Sequence, residues 1–522
     1  MIMFIKARHY AFAMLFLTQT EGFAQIAAPA HTAVPARTTA PAQSATPIVS
    51  TDSEADIIRK AANIVPSRRQ WRWQQLELTA FFHFGINTFT DREWGDGKED
   101  ISLFNPTRLD ARQWVRTAKA AGIKQVILTA KHHDGFCLWP SKYTEHSIRN
   151  TPYKHGRGDI VREVADACKA NGMGFGIYLS PWDRNSPYYG DSTKYNTLFM
   201  QMLTELLTNY GRVDEVWFDG ANGEGPNGKK QVYDFEAWYH LIRRLQPHAV
   251  IAVMGPDVRW VGTESGTGRL TEWSVLPVNA SQQESIAANS QKDATFAPIG
   301  NMMDEDLGGR GRLLAAKGLI WYPAETDVSI RPGWFYHATE DGKVRTPDNL
   351  MEIYFNSVGR NSVLLLNIPP DKDGLISEAD IRSLQGWKHQ LDATFRTNLA
   401  AGAVIGGANV KLMHGGIDAD PGVWWTSAGE DTTLTMEFAL AGEKTFDVLL
   451  LRENILIGQR VEKFVLEYPD KGGWTTIAEG TTIGYKRLLR FPPVTTDKVR
   501  LRILSSRLNP TIAEFGLYKQ TK

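Results

Sequence analysis

The strongest constraint in this sequence is a repeated alternation of short apolar runs and amphipathic helical segments between residues 76 and 367. One such helix, 110–121, carries Ala111, Trp114 and Ala118 on one face, and Gly122 stands just past its end. Alternating strands and helices build a parallel sheet. So many units favour a (β/α)8-like TIM barrel over an open doubly wound sheet. The pattern predicts strands at 78–84, 125–130, 174–179, 215–219, 250–254, 319–321 and 363–367, with further helices at about 159–171, 193–210 and 235–245.

The pattern changes after a helical stretch at about 377–398. Short alternating segments with turn signals follow, including 434–438, 445–451, 461–468 and 499–503, and they predict a β-sandwich. The expected organisation is therefore a catalytic barrel over 56–397 and a sandwich over 398–522.

The amino-terminal residues predict export. Lys6 and Arg8 precede an apolar run at 11–17 and the small-residue site Gly22-Phe23-Ala24, so 1–24 resembles a secretory signal peptide, with an amphipathic helix as the alternative. Residues 25–55 are rich in Ala, Pro and Thr and are expected to form a disordered tether. No later run reaches the ~18 apolar residues of a membrane helix. The expectation is a periplasmic or secreted protein without membrane insertion.

Composition excludes several function classes. The chain has 58 Lys+Arg against 58 Asp+Glu, so it lacks the basic footprint of a nucleic-acid-binding protein. Its two cysteines, Cys137 and Cys168, lack the paired spacing of a zinc or redox site. Aromatic residues are plentiful, with 16 Trp, 16 Tyr and 23 Phe. Since sugar C–H faces stack on rings, this excess suits a carbohydrate-binding surface.

Polar and aromatic side chains follow the predicted strands at their carboxyl ends, where a TIM barrel gathers its functional groups. Taken singly, Asp219 could cap a turn, His132 and His133 could form a loop pair, and Glu264 could be solvated. Together, two carboxylates in an aromatic pocket suit glycoside hydrolysis, which needs one carboxylate ionised and one carboxyl protonated.

Several motifs, in this order, resemble the α-L-fucosidases of glycoside hydrolase family 29 over about residues 65–395. They are FFHFG at 81–85, EW at 93–94, KHHDGF at 131–136, WPS at 139–141, WFDG at 217–220, and GRN at 359–361 leading to LLLNIPP at 364–370. The resemblance implies a retaining exo-enzyme that removes terminal α-L-fucose through a covalent fucosyl-enzyme intermediate. Asp219 is the position that matches the nucleophile of the family.

The same resemblance proposes the other site residues. Glu264 matches the acid/base of the branch that prefers α-1,3/1,4-linked fucose, while Glu325 and Glu272 remain rival candidates. Trp334 is expected to face the C5 methyl of the sugar. The residues expected to bind substrate are His83, Glu93, Trp94, His132, His133, Tyr178, Trp217, Glu325 and Trp334.

The carboxyl-terminal segment resembles a discoidin-type (coagulation factor 5/8 type C) module through Trp424-Trp425, Arg452-Glu453-Asn454 and Glu514-Phe515. Such modules bind sugars in end loops and often hold a structural Ca²⁺. The loop 415–420, with Asp418 and Asp420, offers oxygen ligands, so a structural Ca²⁺ stays open. The preferred interpretation is a support that packs on the barrel and contributes at most a wall of the substrate cleft.

Two alternative functions remain at this point. One is a non-catalytic glycan-binding protein on a degenerate barrel, which would lack the nucleophile or the acid. The other is a metallohydrolase using His83, His132 and His133, but adjacent histidines project in different directions and seldom share one metal. No catalytic metal or cofactor is expected, and the expected partner is a fucosylated oligosaccharide or glycan.

Overall fold

Eight parallel strands wrap into a nearly closed barrel in the computed structural model, which describes residues 45–278, 304–414 and 422–521. The barrel strands are β2 (Leu78–Phe82), β3 (Gln125–Lys131), β4 (Gly174–Leu179), β5 (Glu215–Phe218), β6 (Val250–Val253), β7 (Arg259–Trp260), β10 (Ala324–Ser329) and β11 (Ser362–Asn367). Their order around the sheet is β6-β5-β4-β3-β2-β11-β10-β7. A parallel bridge between Ala252 and Val258 links the two ends of this order. The predicted barrel is confirmed.

Helices cover the outside of the barrel. They are α1 (Glu54–Ala62), α2 (Arg68–Gln74), α3 (Ile86–Thr90), α4 (Ala111–Ala120), α5 (Ile160–Asn171), α6 (Ser192–Asn209), α7 (Phe235–Leu245), α8 (Arg310–Leu314), α9 (Pro347–Asn356) and α10 (Glu378–Phe395). Asp110 begins α4 by accepting the backbone N–H groups of Arg112 and Gln113, and Gly172 ends α5 in the left-handed region at φ 65°. No helix in the described ranges combines the length and apolar character of a membrane span.

A separate three-stranded sheet corrects one sequence prediction. It contains β1 (Thr46–Pro47), β8 (Val275–Val278) and β9 (Gly318–Trp321), in the order β1-β9-β8. Residues 319–321 are therefore a strand, but they lie outside the barrel because β9 pairs antiparallel with β1 and β8. The strands β7 and β10, which were not predicted, complete the barrel instead.

The predicted tether 25–55 is too long at its carboxyl end. Thr46 pairs with Leu319, and Ser53 caps α1. Ile57 and Ile58 then pack against the three-stranded sheet of β1, β8 and β9, which orders this part of the chain. The rest of the tether, the predicted signal peptide 1–24 and the candidate calcium loop 415–420 lie outside the described residues.

The carboxyl-terminal domain is antiparallel, as the sandwich prediction requires. Its strands are β12 (Val404–Gly406), β13 (Val410–His414), β14 (Val423–Ser427), β15 (Leu434–Glu453), β16 (Val461–Asp470), β17 (Gly473–Gly480), β18 (Arg487–Ser506) and β19 (Ile512–Tyr518). The long strand β15 joins the predicted segments 434–438 and 445–451, and β18 extends the predicted segment 499–503 back to Arg487. The pairing of β15 with β18 shifts register between Ala439 and Lys444. Leu450, Leu488 and Tyr518 belong to the same apolar core as the barrel, so the two parts share buried surface.

Candidate active site

A pocket of about 450 Å³ lies at the carboxyl end of the barrel strands, a volume typical of small-molecule sites. It brings together nine residues that the sequence analysis proposed. Those nine are His83, Trp94, His132, His133, Tyr178, Trp217, Asp219, Glu264 and Trp334. No described residue of 398–522 is among those that line this pocket.

Asp219 follows β5 and is held by two hydrogen bonds. Its Oδ1 accepts from the backbone N–H of Ala221 at 2.7 Å, and its Oδ2 accepts from the hydroxyl of Tyr178 at 3.0 Å. The Nε2 atom of His133 lies 3.8 Å from the same Oδ2. About 25% of the Asp219 side chain is exposed, which leaves the oriented carboxyl open to the pocket.

The histidines of the pocket are neutral at ordinary pH. Burial lowers the pKa of His83 to about 4 and that of His133 to about 4, and it lowers the pKa of His132 well below the usual value. Neutral imidazoles can exchange hydrogen bonds with uncharged sugar hydroxyls. No group of three or more His, Cys, Asp or Glu side chains within the described ranges is arranged to hold a metal ion.

The proton position on His83 follows from its neighbour. The side-chain amide of Asn367 donates to the carbonyl oxygen of Trp334 at 2.7 Å, which identifies its Oδ1 as the acceptor facing His83. The Nδ1 atom of His83 lies 2.8 Å from that oxygen and therefore carries the proton. Its Nε2 is left as an acceptor, suited to a hydroxyl donor.

Glu264 lies in the loop after β7, at the pocket mouth. Its Oε2 accepts from the indole N–H of Trp334 at 3.2 Å. Partial burial raises the pKa of Glu264; the hydrogen bond from Trp334 opposes this rise, and the negative charges of Asp219 and Glu93 add to it. Glu264 therefore keeps its proton to a higher pH than an ordinary glutamate.

Glu93 supports the pocket from behind. Its carboxylate accepts from the backbone N–H groups of Trp334 at 2.8 Å and Phe335 at 3.2 Å, and lies 2.7 Å from the ring Nε2 of His337. It is not among the residues that line the pocket. Glu93 therefore positions the segment that carries Trp334, and its contact with substrate stays a prediction.

Glu325, which was expected to contact substrate, is not among the residues that line the pocket. Its side chain is fully buried beneath the pocket, where Oε1 accepts from the indole N–H of Trp217 at 2.7 Å. Burial, followed by the charge of neighbouring Glu215, raises the pKa of Glu325 well above its usual value. The third candidate, Glu272, is also buried outside the pocket, where it pairs with Arg259 and Arg269.

Sequence reasoning missed Asp327. It lies on β10, lines the pocket and is 4% exposed, and its Oδ1 accepts from the indole N–H of Trp260 at 2.8 Å. Burial raises the pKa of Asp327 well above its usual value, so it holds its proton to a higher pH than an ordinary aspartate. The alternation of Glu325 and Asp327 in the AETDVS segment was the signal that could have revealed a strand with inward-facing acids.

Comparison with known proteins gives the family of this chain. The family model for α-L-fucosidase matches residues 58–391, more than half of the chain. The α-L-fucosidase 1 of Arabidopsis thaliana is 41% identical over 469 residues, covering 87% of each protein.

Solved structures agree as well. A protein from Bacteroides ovatus assigned to the α-L-fucosidases is 50% identical, with a TM-score of 0.81 over 92% of this chain and 78% of that one. A Ruminococcus gnavus fucosidase of glycoside hydrolase family 29, solved in complex with fucose, is 33% identical, with a TM-score of 0.75 over 88% of this chain and 96% of that one. This chain therefore belongs to the α-L-fucosidase family, glycoside hydrolase family 29.

Proposed function

We propose that this α-L-fucosidase releases terminal α-L-fucose with retention of configuration, using Asp219 as nucleophile and Glu264 as acid/base. The observation that carries the proposal is the placement of both carboxyls in one pocket with different surroundings. Asp219 is stabilised by two hydrogen-bond donors, whereas partial burial and nearby negative charge favour the proton on Glu264. Retaining glycosidases need this division of roles between two acids.

In the first step, a carboxylate oxygen of Asp219 attacks the anomeric carbon of fucose. The glycosidic C–O bond breaks, and the proton of Glu264 passes to the leaving oxygen. The products are the shortened glycan and a fucosyl ester on Asp219. The hydroxyl of Tyr178 donates a hydrogen bond to Asp219 Oδ2 and so holds the nucleophile in place before attack.

In the second step, the ionised Glu264 removes a proton from water, and that water attacks the anomeric carbon. The ester bond to Asp219 breaks and its carboxylate is regenerated. Two displacements at the same carbon restore the original configuration. Hydrogen-1 NMR of the first-formed sugar checks this outcome directly, because α-L-fucose must appear before mutarotation.

The rest of the pocket suits a 6-deoxy sugar. The neutral histidines and Tyr178 supply hydrogen-bond partners for hydroxyl groups, and Trp334 supplies a ring for the methyl group. The exposed Trp94 and the rim residues Trp182 and Lys230 leave room for further sugars. On the resemblance of the Glu264 loop, we propose α-1,3/1,4-linked fucose on branched glycans as the preferred substrate.

A substrate panel tests the activity and its linkage preference. The protein is incubated separately with 2'-fucosyllactose, a Lewis-type trisaccharide and an aryl α-L-fucoside. Of the two natural glycans, the Lewis trisaccharide should release fucose faster. Faster release from 2'-fucosyllactose would overturn the linkage proposal. Release from none of them would favour the glycan-binding alternative.

Azide rescue tests the acid/base assignment. Glu264→Ala should lower kcat on a natural glycan by about 10²- to 10⁴-fold, because proton donation to the leaving oxygen is lost. On an activated aryl fucoside, azide should restore turnover by replacing the water that Glu264 activates. Glu325→Ala is the matched control, and rescue there without rescue at Glu264 would transfer the role.

We also propose that residues 1–24 direct export and that the mature chain begins at Gln25 in the periplasm or outside the cell. Amino-terminal sequencing of the exported protein tests the cleavage site. For the carboxyl-terminal domain we propose a discoidin-like support. Its contacts with the barrel favour this role, since Glu77 pairs with Arg452 at 2.8 Å and with Lys486 at 2.5 Å across the two domains.

A further inference from the structure

A second cavity of about 500 Å³ is lined by residues 101, 143–146, 183, 185–188, 198 and 202. The segment 182–188 contributes to both: Trp182 lines the reaction pocket, while Asn185, Ser186 and Tyr188 line the second cavity. Nothing in the proposed mechanism uses this cavity. Because the one short segment 182–188 contributes to both cavities, a large substrate can reach from one to the other.

Two exposed tyrosines flank this second cavity. Tyr143 is 40% exposed and Tyr188 is 46% exposed, and both line the cavity. Thr144, Asn185 and Ser186 supply polar groups between them. Open ring faces beside hydroxyl and amide groups are suited to sugar rings, whose C–H faces stack while their hydroxyls form hydrogen bonds.

The lining of the cavity is electrically neutral. The carboxylate of Asp183 pairs with the buried ammonium of Lys131 at 3.1 Å, and that of Glu145 pairs with Arg149. His146 is buried, and burial lowers its pKa to about 4, so its ring is uncharged at neutral pH. A neutral lining favours an uncharged ligand over an anion or a cation.

The wall between the two cavities is pre-formed. Asn185 donates to the carbonyl oxygen of Gly97 at 2.8 Å, and Arg184 donates to that of Gly95. Gly97 has φ 81°, and a Cβ there would lie 2.4 Å from the backbone of Arg184, so the two loops pack backbone against backbone. A rigid wall lowers the entropic cost of binding.

We propose that the second cavity binds uncharged hexose or N-acetylhexosamine units of the same glycan whose terminal fucose enters the reaction pocket. This inference rests on the proposed function. Trp182 and Tyr188 are six positions apart in the chain, so their Cα atoms are at most about 22 Å apart. An oligosaccharide of several rings can bridge the two cavities.

The double variant Tyr143→Ala/Tyr188→Ala tests the cavity. For a long fucosylated glycan, kcat/KM should fall about tenfold through a higher KM, because two stacking contacts are lost. For an aryl fucoside, which occupies the reaction pocket alone, kcat/KM should stay within about twofold. The matched control Tyr143→Phe/Tyr188→Phe keeps both rings and should retain most of the activity on the long glycan.

A direct titration separates this inference from the proposed function. The full-length Asp219→Asn protein is titrated with the same glycan chain after removal of its fucose, and calorimetry should detect binding that the Tyr→Ala pair abolishes. The inference is overturned if Tyr143→Ala/Tyr188→Ala leaves the calorimetric binding unchanged. It is also overturned if that double variant lowers kcat/KM equally for the long glycan and the aryl fucoside. If the wild-type protein releases no fucose from any substrate, the proposed function fails, while the titration still tests the cavity.

Discussion

Two pairs of carboxyl groups in this barrel differ mainly in depth. Asp219 and Glu264 face an open pocket at the strand ends, whereas Glu215 and Glu325 are enclosed in the barrel interior. Glu215 accepts from the indole of Trp73 at 3.1 Å and from the amide of Gln125 at 2.6 Å, so its polar partners come from the protein itself. The exposed pair has room for a substrate, and the buried pair does not.

The same strand contributes to both pairs. Glu215, Trp217 and Asp219 alternate along β5 and its end, so they point to the same side, and about 13 Å of strand separates the first from the last. Trp217 lies between Glu215 and Asp219 on this strand. Its indole N–H donates to Glu325 in the barrel interior, and the residue also lines the pocket. Depth along a strand, rather than residue type, therefore separates a reactive carboxyl from a structural one.

The largest expected difference is in catalysis. Asp219→Asn should lower kcat at least about a thousandfold, because an amide cannot form the fucosyl ester. Glu325→Gln should change kcat by less than about tenfold, since the amide oxygen can still accept from Trp217. Steady-state kinetics on an aryl fucoside measures both, and a loss at Glu325 equal to that at Asp219 would remove the distinction between the pairs.

A smaller effect concerns the pH profile. Glu264 must be protonated for the first step, so kcat/KM should fall as pH rises through its raised pKa. Trp334→Phe removes a hydrogen bond that stabilises the carboxylate, which raises the pKa of Glu264 further. The alkaline limb of kcat/KM should therefore move to higher pH.

Trp260→Phe is the matched control for that shift. It also removes an indole N–H from a pocket carboxyl, but the partner lost is Asp327 instead of Glu264. Its alkaline limb should stay at the wild-type position. A limb that moves to lower pH in Trp334→Phe would contradict the assignment of Glu264 as the acid.

The smallest effect is on stability. Burial raises the pKa of Glu325 well above its usual value and that of Glu215 to about 8, so the folded state binds more protons than the unfolded state between about pH 4.5 and pH 8. Stability from this pair therefore falls as pH rises through that window. The Glu325→Gln protein lacks one of these two titrating groups. Its drop in Tm from pH 5 to pH 8 should therefore be smaller than that of the wild-type protein by a few degrees.

Glu264→Gln provides the comparison for stability. Because Glu264 lies at the pocket mouth and is much more exposed than Glu325, its substitution should change the pH dependence of Tm less. Differential scanning calorimetry from pH 5 to pH 8 measures all three proteins. A larger change for Glu264→Gln would show that the enclosed pair does not dominate this linkage.

Local sequence patterns predicted most of the barrel. Apolar periodicity predicted the helices α4 and α5 at 110–121 and 159–171, and the structure adds their caps, Asp110 and Asp159, whose side chains accept backbone N–H groups. Nine of the proposed site residues meet in one pocket because parallel strands end at the same face of a barrel. Their assigned roles remain predictions.

The missed features depend on contacts between distant segments. Residues 319–321 form a strand as predicted, yet only pairing with β1 and β8 places it outside the barrel. The two residues of β7 are too few for a periodic pattern, and they join the barrel by pairing with β10. Asp327 and Glu325 are two residues apart on one strand, and their sequence surroundings do not say which one reaches the pocket.

The sequence by itself determined the alternation of strands and helices, the strand-end polar residues and the motifs that identify the family, because caps, periodicity and local order are properties of neighbouring residues. Tertiary structure alone decided the depth of each carboxyl, and with it the raised pKa of Glu264, Asp327 and Glu325. The physical reason is that burial and the approach of other charges set a pKa, and both depend on residues far apart in the chain.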